Sequence, residues 1–224
     1  MRALVAFFAS LCIATSFALA QEDSPQALAD ASAPAAQASV RYVNLPKPAT
    51  ALEEMARRKG VVVVKNYVAV ASITGEDGAT LSVTACEFVA GTEKVYGVAL
   101  TVSRSDRGPT DRHVISYVDE DELSAIDDAL KSIAQMQSGT SAGTDFEASY
   151  ESKGDVRFAN VSADGTRMLR IRATQVLLPS GDILWQSARF RLGRAGEIQQ
   201  QLAAARQILD RIRTGVAGTA AENK

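Results

Sequence analysis

The sequence predicts an α+β protein of two antiparallel four-stranded sheets, each followed by a packing helix, a ββββα plan taken twice. Three observations predict it. Between residues 61 and 118 apolar residues recur at every second position, as strands with one buried face require. From residue 119 the period lengthens to that of a helix. After the small-residue linker QSGTSAGT the same succession, four alternating segments and one helical segment, begins again.

The chain opens on MRALVAFFASLCIATSFALAQED, a single arginine ahead of an apolar run that closes on Ala-Leu-Ala before Gln21. The run is too short and too poorly flanked for a membrane span and ends in a small-x-small site. Residues 1–20 are therefore expected to be a signal peptide cleaved near Ala20, which makes the product periplasmic or secreted. Leu11, ahead of Cys12, is not the small residue a lipoprotein signal needs. Loss of Cys12 leaves Cys86 alone, so no disulfide forms within the mature chain and stability must come from a core. No other apolar stretch approaches the roughly 20 residues of a membrane helix, and no integral membrane segment is expected after cleavage.

Residues 21–46 are rich in Ala, Ser, Gln and Pro and poor in large apolar side chains, the composition of a disordered tether. The first module spans 47–138. It starts with a short helix in TALEEMARRKG, where Thr50 and Glu53 form a capping box and Gly60 supplies the stop. The alternating segments VVVVKNYVAVASIT, ATLSVTACEFVA, KVYGVALTVS and HVISYV follow as strands. A two-residue turn at Asp77-Gly78 sets Val70 opposite Ala85 and Ser72 opposite Val83. The phase fails between Ala85 and Phe88, which predicts a bulge there. In DEDELSAIDDALKSIAQM, Leu123, Ile126, Leu130, Ile133 and Ala134 share a stripe, and Asp119 with Glu122 reads as a second capping box.

The second module spans 145–214, with strands in DFEASYE, DVRFANVS, TRMLRIRATQVLL and DILWQSARFRL. The helix GEIQQQLAAARQILDRI turns Ile198, Leu202, Ala205, Leu209 and Ile212 inward, and residues 215–224 fray. Loops fix the pairing. A loop at Ser152, Lys153 and Gly154 sets Tyr150 with Val156 and Ser149 with Arg157. Asp164-Gly165 pairs Phe158 with Ile171 and Arg157 with Arg172, and a loop centred on Ser180-Gly181 pairs Ile171 with Phe190 and Arg172 with Arg189. One face then collects Phe146, Tyr150, Val156, Phe158, Leu169, Ile171, Leu184, Phe190 and Leu192. The other collects Arg157, Arg170, Arg172, Arg189 and Arg191, with Trp185 and Val176 toward the hairpin end.

Arginines directly opposed across a sheet destabilise it by about 0.2–1 kcal/mol per pair, so the pattern calls for a cause. Asp145, Glu147 and Glu151 on the neighbouring strand neutralise the nearest guanidiniums if the face is merely solvated. Alternatively the face binds an anion, with Trp185 stacking on a sugar or base. It is otherwise buried against the first half, or against another subunit with an acidic surface such as the DEDE run at 119–122. Charge is uneven in the same sense: Lys and Arg number 11 against 17 Asp and Glu between residues 21 and 144, but 12 against 9 from residue 145.

Catalytic patterns are sparse. His113 is the only histidine, which removes histidine metal clusters and most proton relays. Cys86 lies in an alternating strand, where a free cysteine is a small buried hydrophobe. The DEDE run lacks the alternate-position ligands and glycine of a calcium loop, and no Gly-x-Ser-x-Gly or Gly-x-Gly-x-x-Gly occurs. No catalytic residue, metal or cofactor is assigned. The expectation is an exported, non-catalytic interaction protein of a bacterial-type envelope, its arginine face meeting a protein partner or its own copy. The alternatives are a binder of anionic envelope polymer and an unrecognised hydrolase. Limited proteolysis is expected to remove residues 21–46 and leave a resistant core; protection of that arm equal to that of the sheets overturns the tether reading.

Overall fold

The computed structural model describes residues 47–105, 112–136, 146–163, 166–177 and 180–215. The leader, the arm, Asp145, Asp164-Gly165 and the tail beyond Gly215 lie outside the described residues. Helix α1 (Ala51–Ala56) leads into strands β1 (Val64–Thr74), β2 (Ala79–Ala90), β3 (Glu93–Arg104) and β4 (Arg112–Asp119), then helix α2 (Leu123–Gln135). Strands β5 (Phe146–Glu151), β6 (Arg157–Ala163), β7 (Thr166–Val176) and β8 (Ile183–Arg191) precede helix α3 (Ala195–Arg213). Each set of four strands forms one antiparallel sheet in chain order, so the duplicated ββββα plan is the fold. No helix among the described residues is long and apolar enough to cross a membrane.

The two helices change places. Helix α3, which follows the second sheet, packs on β1, β2 and β3, while α2, which follows the first, packs on β5 and β6. Polar contacts bridge this crossing. At the entry to α3, Arg194 donates to the Thr74 carbonyl at 2.7 Å and pairs with Glu197 at 2.8 Å, tying the helix to the end of β1. Fully buried Asn160 on β6 donates to the Ile133 carbonyl at 3.0 Å, one of the carbonyls that a helix C-terminus leaves open. Gln199 on α3 donates to Asp127 on α2 at 2.8 Å. The resulting core is continuous and draws on both halves, with Leu81, Leu100, Ile126, Leu130, Phe158, Ile171, Phe190 and Leu209 in one buried cluster.

In the first sheet three details depart from the sequence reading. The β1–β2 turn is one residue longer than a two-residue turn, so Ser72 faces Ser82 and Ala71 faces Val83. The irregularity sits in β1 at Val70, and β2 pairs with β3 without interruption from Ala79 to Ala90. The phase of β2 fails at Cys86 because both faces are covered there: Leu52 and Met55 of α1 bury Cys86, Phe88 and Ala99 on the outer side. The third detail is Asp119. Thr50 caps α1 as expected, accepting from the Glu53 N–H at 3.1 Å, but Asp119 does not cap its own helix. Its carboxylate accepts from the Ala51 and Leu52 N–H groups at 2.8 and 3.2 Å, giving α1 a second cap. Glu122 is buried and accepts from the Tyr150 hydroxyl at 3.2 Å and the Lys153 N–H at 2.9 Å, joining the halves.

Leu130 and Leu209 are both fully enclosed. Replacing either by alanine is expected to cost about 2–5 kcal/mol, read as a lowered denaturant midpoint in one cooperative transition. A loss below about 0.5 kcal/mol, typical of surface changes, means that the helix does not pack as described.

Candidate functional site: the arginine face of the second sheet

Side chains alternate across a strand, so the faces of the second sheet follow from the parity of its pairing. The β6–β7 pairing is the expected one, Arg157 opposite Arg172 and Phe158 opposite Ile171. The two flanking hairpins each differ from the sequence reading by an even step. Tyr150 pairs with Phe158 rather than Val156, because Ser152 and Val156 close the loop, the Ser152 N–H donating to the Val156 carbonyl at 2.9 Å. Leu169 pairs with Phe190 and Arg170 with Arg189, because the β7–β8 loop closes where the Leu177 N–H meets the Asp182 carbonyl at 2.8 Å. An even step keeps every side chain on its face. Arg157, Arg170, Arg172, Arg189 and Arg191 therefore share the outer face with Trp185, opposite buried Phe158, Ile171 and Phe190.

The corrected register changes which charges meet. Arg172 faces Ser187, so Arg157, Arg172 and Arg189 do not form one row. Two opposed pairs remain, Arg157 with Arg172 and Arg170 with Arg189. Glu147 answers across both: it holds Arg157 at 2.7 Å and Arg170 at 2.8 Å. Glu151 holds Arg172 at 3.3 Å, and Ser149 accepts from Arg157 at 3.0 Å. Such pairs, about a third exposed, stabilise by no more than about 1 kcal/mol each; their effect here is to fix where the guanidiniums lie. The stems lie along the sheet, and Ala159 beneath them is fully buried.

Toward the β8 edge the charges are looser. Arg191 reaches Glu76 in the β1–β2 turn at 3.3 Å. Arg189 is exposed and its guanidinium has no ion pair among the described residues. A shallow cavity of about 290 Å³ opens here, lined by Val161, Thr166, Met168, Arg170 and Arg189. Trp185 and Ile183, on the same face toward the hairpin end, are 64% and 65% exposed. Among the described residues, the ion pair between these arginines and the first half is that of Arg191 with Glu76. The acidic run at 119–122 is engaged within the chain: Asp119 caps α1, Glu120 pairs with Arg213, Asp121 with Lys153, and Glu122 is buried.

A second concavity, of about 310 Å³, lies beside α1 and is lined by residues including Glu53, Arg57, Lys65, Tyr117 and Gln175. Its lining comes from α1, β1, β4 and β7, segments that no local period relates, so the sequence gives no signal of it. Lys65 there lies over the Phe88 ring at 5.4 Å. Among the described residues, no group of three or more His, Cys, Asp and Glu is placed to hold a metal ion. Cys86 is fully buried, and that burial pushes its thiol up to about 12.

The chain matches no known family, no curated protein and no solved structure. The burial of Cys86 bears directly on its chemistry. For Cys86 the consequence is inertness: at pH 8 the thiol is protonated and enclosed, and a thiol reagent is expected to titrate it only after unfolding. Stoichiometric reaction in the native state at that pH would show Cys86 to be an accessible nucleophile and overturn this reading.

Proposed function

We propose that the protein is an exported, non-catalytic interaction protein of a bacterial-type cell envelope that receives an acidic partner protein on the outer face of its second sheet. One observation carries this reading: guanidiniums fixed by Glu147 and Glu151 share an open face with exposed Ile183 and Trp185. Protein interfaces concentrate their binding energy in tryptophan and arginine, and groups already held in place lose little freedom on docking. Five arginines against Glu147 and Glu151 leave the face positive even with Glu76 counted, which suits an acidic partner and steers its approach. The leader sequence supports export, and no cofactor enters the reading.

A second reading, an anionic envelope polymer, is favoured by the cavity between Arg170 and Arg189 and by the Arg189 guanidinium, which has no ion pair among the described residues. Two measurements separate them. A photo-reactive residue at position 168, inside the arginine face, is expected to capture a discrete protein in intact cells, and Arg170→Glu with Arg189→Glu is expected to reduce that adduct about tenfold or more. On a dextran sulfate matrix the protein reading predicts weak retention. Retention that falls steeply with salt, and whose salt slope flattens by about one per arginine replaced, establishes the polymer reading instead. If neither binding responds to the charge reversals, the arginines are a solvated face only.

A further inference from the structure

The two sheets have four edges, β1, β4, β5 and β8, and an open edge offers unpaired N–H and C=O groups to another strand. Three of the four carry a protection. Edge β4 is sealed by β7: the Ile115 N–H donates to Gln175 at 3.3 Å, and the Ser116 hydroxyl exchanges hydrogen bonds with the Thr174 backbone at 2.7 and 2.8 Å. Edge β1 bears Lys65 and the irregularity at Val70. Edge β5 is six residues long and carries Glu147 and Glu151.

Among the described residues, edge β8 is closed at one point. The β1–β2 turn docks on Arg189, whose carbonyl accepts from the Glu76 N–H at 2.7 Å and whose N–H donates to Asp77 at 3.2 Å. Gly75 allows this approach, since a Cβ there would sit 2.6 Å from the Arg189 oxygen. The docked turn also reveals the direction of the backbone. In an antiparallel strand successive residues turn their N–H and C=O groups alternately toward one neighbour and the other. Arg189 points both away from β7, so Ile183, Trp185 and Ser187 do the same. No lysine, proline or register shift interrupts this stretch, and Ile183, Leu184 and Trp185 leave it with three exposed apolar side chains.

We infer that a second copy of this chain pairs with the open part of this edge, β8 antiparallel to β8, about a two-fold axis at Trp185. The warrant is length and symmetry. With Trp185 opposite Trp185, Ile183 falls opposite Ser187 and every outward-facing residue of the open stretch finds an outward-facing mate. A slip of the register one way brings the partner strand onto Arg189, which the turn already occupies. A slip the other way leaves Ser187 without a mate, because the strand ends at Ile183. In the symmetric register the partner leaves the edge at Asp182, where its own loop turns back to β7, and so clears the docked turn. The stretch is thus its own complement, which is the requirement of an isologous contact. Pairing joins two four-stranded sheets into one continuous surface, brings both Trp185 side chains together at its centre and places an arginine cluster on either side. Its short span makes the dimer a weak one. The inference does not depend on the arginine face binding anything.

Register-specific cross-linking in the full chain carrying Cys12→Ser tests it, with Cys86 buried and silent. The symmetric register sets the two copies of residue 185 about 5.5 Å apart at Cα, inside the range a disulfide spans. Trp185→Cys is therefore expected to form a covalent dimer under mild oxidation at least about tenfold faster than Leu184→Cys, whose mate is Gln186 of the second copy. Sedimentation equilibrium of the wild type at roughly 0.1 mM is expected to give a mass between one chain and two, the signature of a weak contact. Ser187→Pro removes an outward N–H without costing a bond to β7, and Ile183→Lys charges the edge; each is expected to restore the mass of one chain, whereas Arg189→Glu is not. A wild type that stays monomeric throughout, or equal cross-linking at positions 184 and 185, overturns the inference. Loss of partner capture at the arginine face with cross-linking at 185 intact overturns only the functional reading.

Discussion

Neither four-stranded sheet closes its own inner face. The helix that follows each one lies on the other, so Ile126 and Leu130 are buried against residues that come later in the chain, and Ile198 and Leu209 against residues that come much earlier. One core results between the sheets, and it draws on both sheets and both long helices at once. The polar contacts that cross between halves at the helix ends include Arg194 on Thr74, Asn160 on Ile133, and Glu122 on Tyr150 and Lys153. Buried Glu122 and the carbonyl of buried Ile133 would otherwise be enclosed without these partners, a loss of about 1–3 kcal/mol per group.

Much of this was legible in the letters, for a reason that parity explains. A strand's faces depend only on whether a register error is odd or even. Both errors in the second sheet are even, so the arginine face and the Phe158, Ile171, Phe190 face emerge correctly although Arg189 meets Arg170 rather than Arg172. The single odd error, at the β1–β2 turn, is confined by the irregularity at Val70, beyond which the pairing shifts again by one. What the letters do not hold is the identity of the covering layer. A stripe on α2 shows that something buries it, not which sheet does. Cys86 and Phe88 look like a phase error because a six-residue helix lies over them, and nothing in the strand announces that helix. Asp119 reads as the cap of the helix that follows it, yet its carboxylate serves a helix that begins 68 residues earlier.

The arginine face shows how a sheet tolerates like charges. Offsetting β8 by two residues breaks a row of three guanidiniums into two pairs, and a single glutamate spans both. The anion on β5 thereby organises cations on β6 and β7, while Arg189 on β8 has no ion pair among the described residues. Among the described residues charge on this face is graded, closely compensated at one edge and more open at the other, where Arg191 still meets Glu76. The exposed Trp185 and Ile183 belong to the open edge, so apolar surface and uncompensated charge occur together.

The exchange of helices has a consequence for the order in which the molecule is made. A chain emerging from its N-terminus completes the first sheet long before α3 exists, and until then Leu81, Leu100 and their neighbours lack their cover. Contacts of such sequence separation close slowly. The first half must therefore wait, partly assembled and adhesive, for the last helix of its own chain. In a crowded population the last helix of a neighbour fits the same place equally well, so the covalent linker between the halves acts chiefly as a guarantee of proximity: it makes the correct α3 the nearest one.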